Sequence, residues 1–315
     1  MRGANRVLAN AIKRLADAEQ PSNHRKYYRV TSAYEFIIYL EIADGVFSGF
    51  RFQKDANDDF IKMREQSVFN YGSGTMQKRF DLTENTSNKE FAISVREVGG
   101  TDTVWLPEHN NTGTVFESSE GVRSLIIDGQ DVSLTSTTNL LMFDNGHLYQ
   151  HLFGYYPGIN EPLTEIKQTL IFQHDQVKQR FGMRLLKDTH IGSVYAFMLP
   201  MRSDFLSHVA TNKREIVEAD TENLGTDSQL DDLTAFEYYA VSKDTNKRDF
   251  YLTAKIENAS SELLQLFLQH RDNPSALQKF YPYFHRQEDF NSGVRFFYDG
   301  YYKVGYTKNA DKVFS

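Results

Sequence analysis

The sequence predicts a mainly β protein: antiparallel sheets arranged as two tandem β-sandwich, jelly-roll-like domains with a few peripheral helices. Three observations carry that expectation. Aromatic residues are abundant, with 24 Phe and 18 Tyr among 315 residues, and flat or branched side chains cover a pleated surface well. Runs of alternating apolar and polar residues recur, which is the period of a half-buried strand. Asp-Gly and Asn-Gly pairs interrupt several of those runs, and such pairs tolerate the positive φ that tight hairpins need.

The first segment departs from this pattern. Ala4, Val7, Leu8, Ala11, Ile12 and Leu15 fall at helical spacing and form one apolar stripe, which Pro21 ends. Residues 1–22 are expected to be a basic amphipathic arm, docked on its own domain or reaching another subunit or a lipid surface. Charge is unevenly spread. Residues 1–30 hold seven basic side chains against two acids, and residues 215–237 hold eight acids and no base. A basic end suits nucleic acid, a membrane surface or an acidic patch on a neighbour; two solvated surfaces are the plain alternative.

From Tyr34 onward the alternation predicts strands. Tyr34–Ile42 and Val46–Phe52 flank Asp44-Gly45, and the same device recurs at Asp128-Gly129 and Asp299-Gly300. A wider turn at 244–247 joins residues 235–243 to 248–257. Further strands are expected at 78–82, 90–98, 103–107 and 192–200. Helices are expected near 260–281, where Ser260 and Ser261 suit a cap and Asn273-Pro274 a restart, and around 174–181. The acidic segment 215–237 reads as a long exposed loop. The arm at 1–22 leaves a first sandwich over 23–157 and a second over 158–315, meeting where turn residues cluster at 154–158.

A search for chemistry begins with the stretch Asp144 to His151, DNGHLYQH, which sets His147 and His151 four residues apart. Leu140–Phe143 before and Leu148–Phe153 after give it the form of a hairpin turning at Asn145-Gly146. On a strand those histidines are roughly 13 Å apart, too far to share a zinc ion at about 2 Å from each. Residues 70–80, NYGSGTMQKRF, lack the spacing of a phosphate-binding loop. Asp231, Asp232 and Glu237 with Lys243 make only a strained nuclease set. Residues 24–30, HRKYYRV, interleave cations with Tyr27 and Tyr28, a pattern that suits single-stranded nucleic acid or simply the first strand. With no Cys, disulfides and thiolate metal sites are excluded. No catalytic, cofactor-binding or metal-ligating residue is assigned, and no enzyme is expected.

The resulting expectation is a self-assembling structural protein, a virion or phage shell component that meets copies of itself and is assembled in the host cytoplasm. No signal peptide and no membrane-spanning run are expected. The first alternative is a carbohydrate- or receptor-binding sandwich, using Tyr155, Tyr156, Tyr281, Tyr283, Tyr301 and Tyr302 as stacking surfaces. The second is an enzyme on a β scaffold with an unrecognised acidic site.

Overall fold

The computed structural model describes residues 21–55, 58–85, 89–107, 114–116, 122–156, 159–211, 216–218, 227–230, 237–261, 265–269, 277–308 and 310. The protein is mainly β, built of antiparallel strands in three sheets, with no α-helix among the described residues. The amphipathic arm expected at the N-terminus lies outside the described residues, apart from Pro21 and Ser22.

The first sheet is a meander of Lys26–Ser32, Glu35–Ala43, Val46–Asp55, Asp58–Gly72 and Thr75–Asp81, with Leu141–Met142 added at its edge. Its first hairpin turns at Asp44-Gly45 as expected, Ala43 opposing Val46 and Gly45 taking φ 75°. Alternation sends Phe36, Ile38, Leu40, Phe50 and Phe52 inward, where all are fully buried. On the opposite face Tyr39, Phe47 and Phe69 form a small second cluster with Tyr27 and Tyr71.

The large sheet has a central run of Val122–Ile127, Gly146–Tyr155, Pro162–Gln173, Gln176–Leu185, Arg295–Tyr306, Phe250–Ala259 and Glu237–Val241. The third sheet centres on Phe91–Glu97, Thr189–Ala196 and Leu277–Phe290. One apolar core takes side chains from all three sheets. Burial of that surface is the main term opposing the entropy of ordering the chain.

Polar groups also cross this core. Gln150, Gln168 and Gln179 occupy inward positions on three adjacent strands and are buried. Gln150 Nε2 donates to Gln168 Oε1 at 2.8 Å, Gln168 Nε2 to Gln179 Oε1 at 3.2 Å, and Gln179 Nε2 to the Glu90 carbonyl at 3.2 Å. Gln150 Oε1 accepts from the Ile61 amide at 2.8 Å, which ties this ladder to the first sheet. Buried amides cost stability unless paired, and here each carries its neighbour.

Several expectations are corrected. The residues at 157–158, expected to separate two sandwiches, fall between strands that pair with each other, from His147↔Ile171 to Tyr155↔Pro162. Phe91–Glu97 likewise pairs with Thr189–Ala196, so strands from both expected halves share sheets. Where 260–281 is described, the expected helices give way to strands at Gln265–Gln269 and Leu277–Phe290, which pair from Gln265↔Tyr283 to Gln269↔Lys279; the Asn273-Pro274 restart lies outside the described residues. The helix expected around 174–181 is the strand Gln176–Leu185, whose Val177, Gln179, Phe181 and Met183 alternate inward. Local helical preference is a weak prior that pairing overrides. Within the acidic segment, Ile216–Glu218 and Asp227–Leu230 are short strands, not loop.

Two of the expected hairpins are absent. Asp299-Gly300 lies inside the continuous strand Arg295–Tyr306. A Cβ at Gly300 would sit 2.0 Å from the Lys255 carbonyl oxygen and 2.8 Å from the Phe197 ring, so glycine is needed there for close approach and not for a turn. Leu141–Met142 pairs with Lys26–Ser32, while Gly146–Tyr155 joins the large sheet, so the chain changes sheets at Asp144-Asn145. Asp128 holds that crossing, its Oδ1 accepting from the amides of Asp144 at 3.0 Å and Asn145 at 2.7 Å. Asp128-Gly129 does make its hairpin, with φ 49° and 78°.

Candidate functional site: a basic groove on the large sheet

The alternation that fills the core fixes what the other face of the large sheet displays. On Pro162–Gln173 the outward residues include Glu165 and Lys167; on Gln176–Leu185 they are Lys178, Arg180, Gly182 and Arg184. On Arg295–Tyr306 they are Arg295, Phe297, Asp299 and Tyr301. In register, Gly182 sits between Lys167 and Phe297, and Arg184 sits between Glu165 and Arg295. Because Gly182 has no side chain, the row through it is a trough. It forms a groove of about 270 Å³ lined by Glu165, Lys167, Arg184, Arg295 and Phe297 over Gly182. That is near the lower end of ligand sites, which run from roughly 300 Å³ upward.

One side of this groove is electrically settled and the other is not. Glu165 Oε1 lies 2.9 Å from His151 Nε2 and 3.0 Å from Lys167 Nζ. Burial pushes the Glu165 carboxyl up, but hydrogen bonds from Lys167 and His151 outweigh it and hold the group below its usual range. Glu165 is thus a committed carboxylate. Arg184 and Arg295 are exposed and have no ion pair among the described residues. Phe297 beside them is 41% exposed. The groove therefore offers two unneutralised guanidinium groups, an ammonium and an open aromatic face.

The residues singled out in the sequence are distributed as follows. His147 and His151 both lie on the outward face of Gly146–Tyr155, His147 opposite Ile171 and His151 opposite Lys167; on one strand they cannot share an ion. Arg25 of the HRKYYRV stretch is bound to Glu41, whose carboxylate also accepts the Arg25 and Gly45 amides at 3.0 Å. Tyr28 is buried, and Tyr27 packs on Phe47 and Tyr71, so that stretch is strand packing. Ser73-Gly74 is a two-residue turn with φ 52° and 76°. Glu237 meets Tyr239 at 2.6 Å and Lys255 at 3.5 Å, while Asp231 and Asp232 lie outside the described residues. Among the proposed stacking tyrosines, Tyr281, Tyr283 and Tyr302 are buried and have no face to offer; Tyr155, Tyr156 and Tyr301 are half-buried.

The groove residues themselves escaped the sequence. Their signal was present, in the outward Arg180-x-Gly182-x-Arg184 of one strand and the Arg295-x-Phe297 of another. Only the register between those strands brings them together.

No family model and no curated protein matches the sequence. Among solved structures, the chain is similar to a heparan sulfate lyase HepC mutant from Pedobacter heparinus, at 12% identity and TM-score 0.41 over 97% of this chain. It is also similar to a heparinase III gene product with methylated lysines, at 10% identity and TM-score 0.38 over 89% of this chain. The chain spans 43% and 35% of those two chains. At these scores neither likeness carries an argument about activity. The expectation of a virion shell component finds no support in these likenesses, which name a lyase and a heparinase. The architecture behind that expectation has changed as well, since the two halves share sheets.

Proposed function

We infer that this chain binds an acidic polysaccharide across the outer face of its large sheet. The observation that carries this is the pair Arg184 and Arg295, facing each other without an ion pair among the described residues, beside an exposed Phe297 and over the bare backbone of Gly182. Guanidinium groups meet carboxylates and sulfates through paired hydrogen bonds. An exposed ring suits the apolar face of a sugar. The groove is open along the sheet, which a polymer can cross. No bond-breaking step is assigned to it.

Titration calorimetry of the full chain with sulfated, uronate-only and neutral polysaccharides tests this, with heparan sulfate among the sulfated probes and single-stranded DNA as a further polyanion. Binding to the acidic polysaccharides that weakens as salt rises, with none to neutral ones, is the expected result. Equal binding to neutral polymers, preference for DNA, or no binding to any acidic polysaccharide would overturn it.

A further inference from the structure

We propose that Ser261, His285 and Glu288 form a hydrolytic centre for a short-chain carboxylic ester, bordering the groove at Phe296 and Phe297 but independent of its function. Ser261 Oγ lies 2.5 Å from His285 Nε2, and His285 Nδ1 lies 3.3 Å from Glu288 Oε2. Nucleophile, base and orienting acid thus stand in hydrogen-bond sequence, the arrangement by which a serine hydroxyl is activated on unrelated folds.

Each member is held from outside. Ser260 fixes the nucleophile's backbone: its amide donates to the Phe297 carbonyl and its hydroxyl accepts from the Phe297 amide, both at 3.0 Å. The His285 ring meets Phe290 edge-on at 5.3 Å and Phe296 at 5.1 Å, and only 12% of its side chain is exposed. His285 and Glu288 are three apart on a strand, a spacing that ordinarily sends side chains to opposite faces. Between them Gln287 takes φ 51°, and the register to Thr189–Ala196 skips one pair there. A non-glycine residue in that region carries backbone strain, which collects at functional positions. Here it turns Glu288 toward the ring.

A fourth group completes the centre. The Tyr298 hydroxyl is buried without a well-formed hydrogen bond, and the side chain it interacts with is that of Ser261. Burial pushes its pKa up and Ser261 pulls the other way, so the hydroxyl stays protonated beside the nucleophile. A buried hydroxyl whose hydrogen bond is poorly formed is open to an acceptor that arrives beside Ser261. The oxyanion formed when Ser261 attacks a carbonyl is such an acceptor.

The reaction balances within these groups and water. Ser261 Oγ bonds to the acyl carbon as its proton passes to His285 Nε2. The bond to the alcohol oxygen breaks, and the alcohol leaves with that proton. Water then attacks the acyl-serine, gives a proton to His285, and the carboxylic acid departs as Ser261 regains its hydrogen. Ser261, His285 and Tyr298 touch reacting atoms; Glu288 is a positioning residue. The rings of Phe290 and Phe296 pack on His285 and Tyr298 lies beside Ser261, which favours a short acyl chain.

The test is labelling of the full chain with a fluorophosphonate probe, followed by intact-mass and peptide analysis, alongside turnover of 4-nitrophenyl acetate. One adduct on Ser261 is expected, with hydrolysis falling at least ~100-fold in Ser261→Ala and His285→Gln. Glu288→Gln should lower kcat with KM unchanged, and Tyr298→Phe should slow acylation ~10-fold or more. Circular dichroism of Ser261→Ala establishes that its fold is kept, and Ser261→Cys, which retains a nucleophile, serves as a second variant. No adduct on the wild-type chain, an adduct elsewhere, or a folded Ser261→Ala that hydrolyses the ester at the wild-type rate would overturn the proposal.

Discussion

Arg184 and Arg295 stand directly opposite one another on adjacent antiparallel strands, both exposed and neither in an ion pair among the described residues. Like charges in that relationship cost a sheet up to ~1 kcal/mol, so the fold alone gives no reason for the pairing. Arg295→Ser is expected to raise the thermal midpoint slightly while weakening binding of an acidic polysaccharide ~10-fold, the loss of one charge-assisted contact. Calorimetry and thermal unfolding of the same preparation check both halves. Unchanged affinity would remove the arginine pair from the binding surface.

Gly182 separates the groove's shape from its charge. A Cβ there would meet only the Phe296 and Lys167 carbonyl oxygens, at 3.9 and 4.0 Å, which is ordinary contact, and its φ is not positive. A side chain is therefore tolerated by the backbone and projects into the trough. Gly182→Leu should fold with stability within ~1 kcal/mol of the wild type and lose binding at least ~10-fold with every positive charge still in place. A Gly182→Leu chain that binds normally would place the ligand elsewhere on the sheet.

Strand content was legible because alternation is a local signal: Glu35–Ala43, Phe250–Ala259 and the Asp44-Gly45 turn stand where their residues suggest. Register was not legible. Asp299-Gly300 has the composition of a hairpin turn, yet the Lys255 carbonyl packed against it sets its role. Asn145-Gly146 likewise joins two sheets and not two neighbours, because Leu141–Met142 found its partner in Lys26–Ser32. The groove was hidden for the same reason, since Arg184 and Arg295 are far apart in sequence. Ser261, read as a helix cap, meets His285 only because its segment crosses the start of Arg295–Tyr306.

The glutamine ladder should matter more to stability than its size suggests. Gln168→Leu preserves volume but leaves Gln179 Oε1 without its donor and takes from Gln150 Nε2 one of its two acceptors, the Ile61 carbonyl at 2.9 Å remaining. Each stranded buried group costs ~1–3 kcal/mol, and chains of amides polarise one another. Urea unfolding should show a loss of ~2–4 kcal/mol with the m-value unchanged. A loss within experimental error would mean that the ladder is decoration on an apolar core.

Lys89 gives the molecule a pH dependence that its surface would not. The side chain is fully buried, and Nζ donates to the carbonyls of Arg64 at 2.6 Å and Glu84 at 2.8 Å. Burial pulls its pKa down to about 7, against the opposing pull of Glu90 and Glu84. In the unfolded chain the same group titrates near ~10.4. Between those values the unfolded chain holds a proton that the folded chain has released, so stability rises with pH across that window. The contribution is complete above the unfolded value and is lost as pH falls through about 7; its slope approaches ~1.4 kcal/mol per pH unit. Lys89→Met removes the titrating group and also deprives two carbonyls of a donor, so the variant is less stable throughout. Only the titration changes the slope, so the wild-type curve minus the variant curve should climb between pH 7.5 and 9.5 in urea unfolding (window from about 7 and ~10.4). Parallel curves would mean that Lys89 keeps its proton in the folded state and that water reaches it.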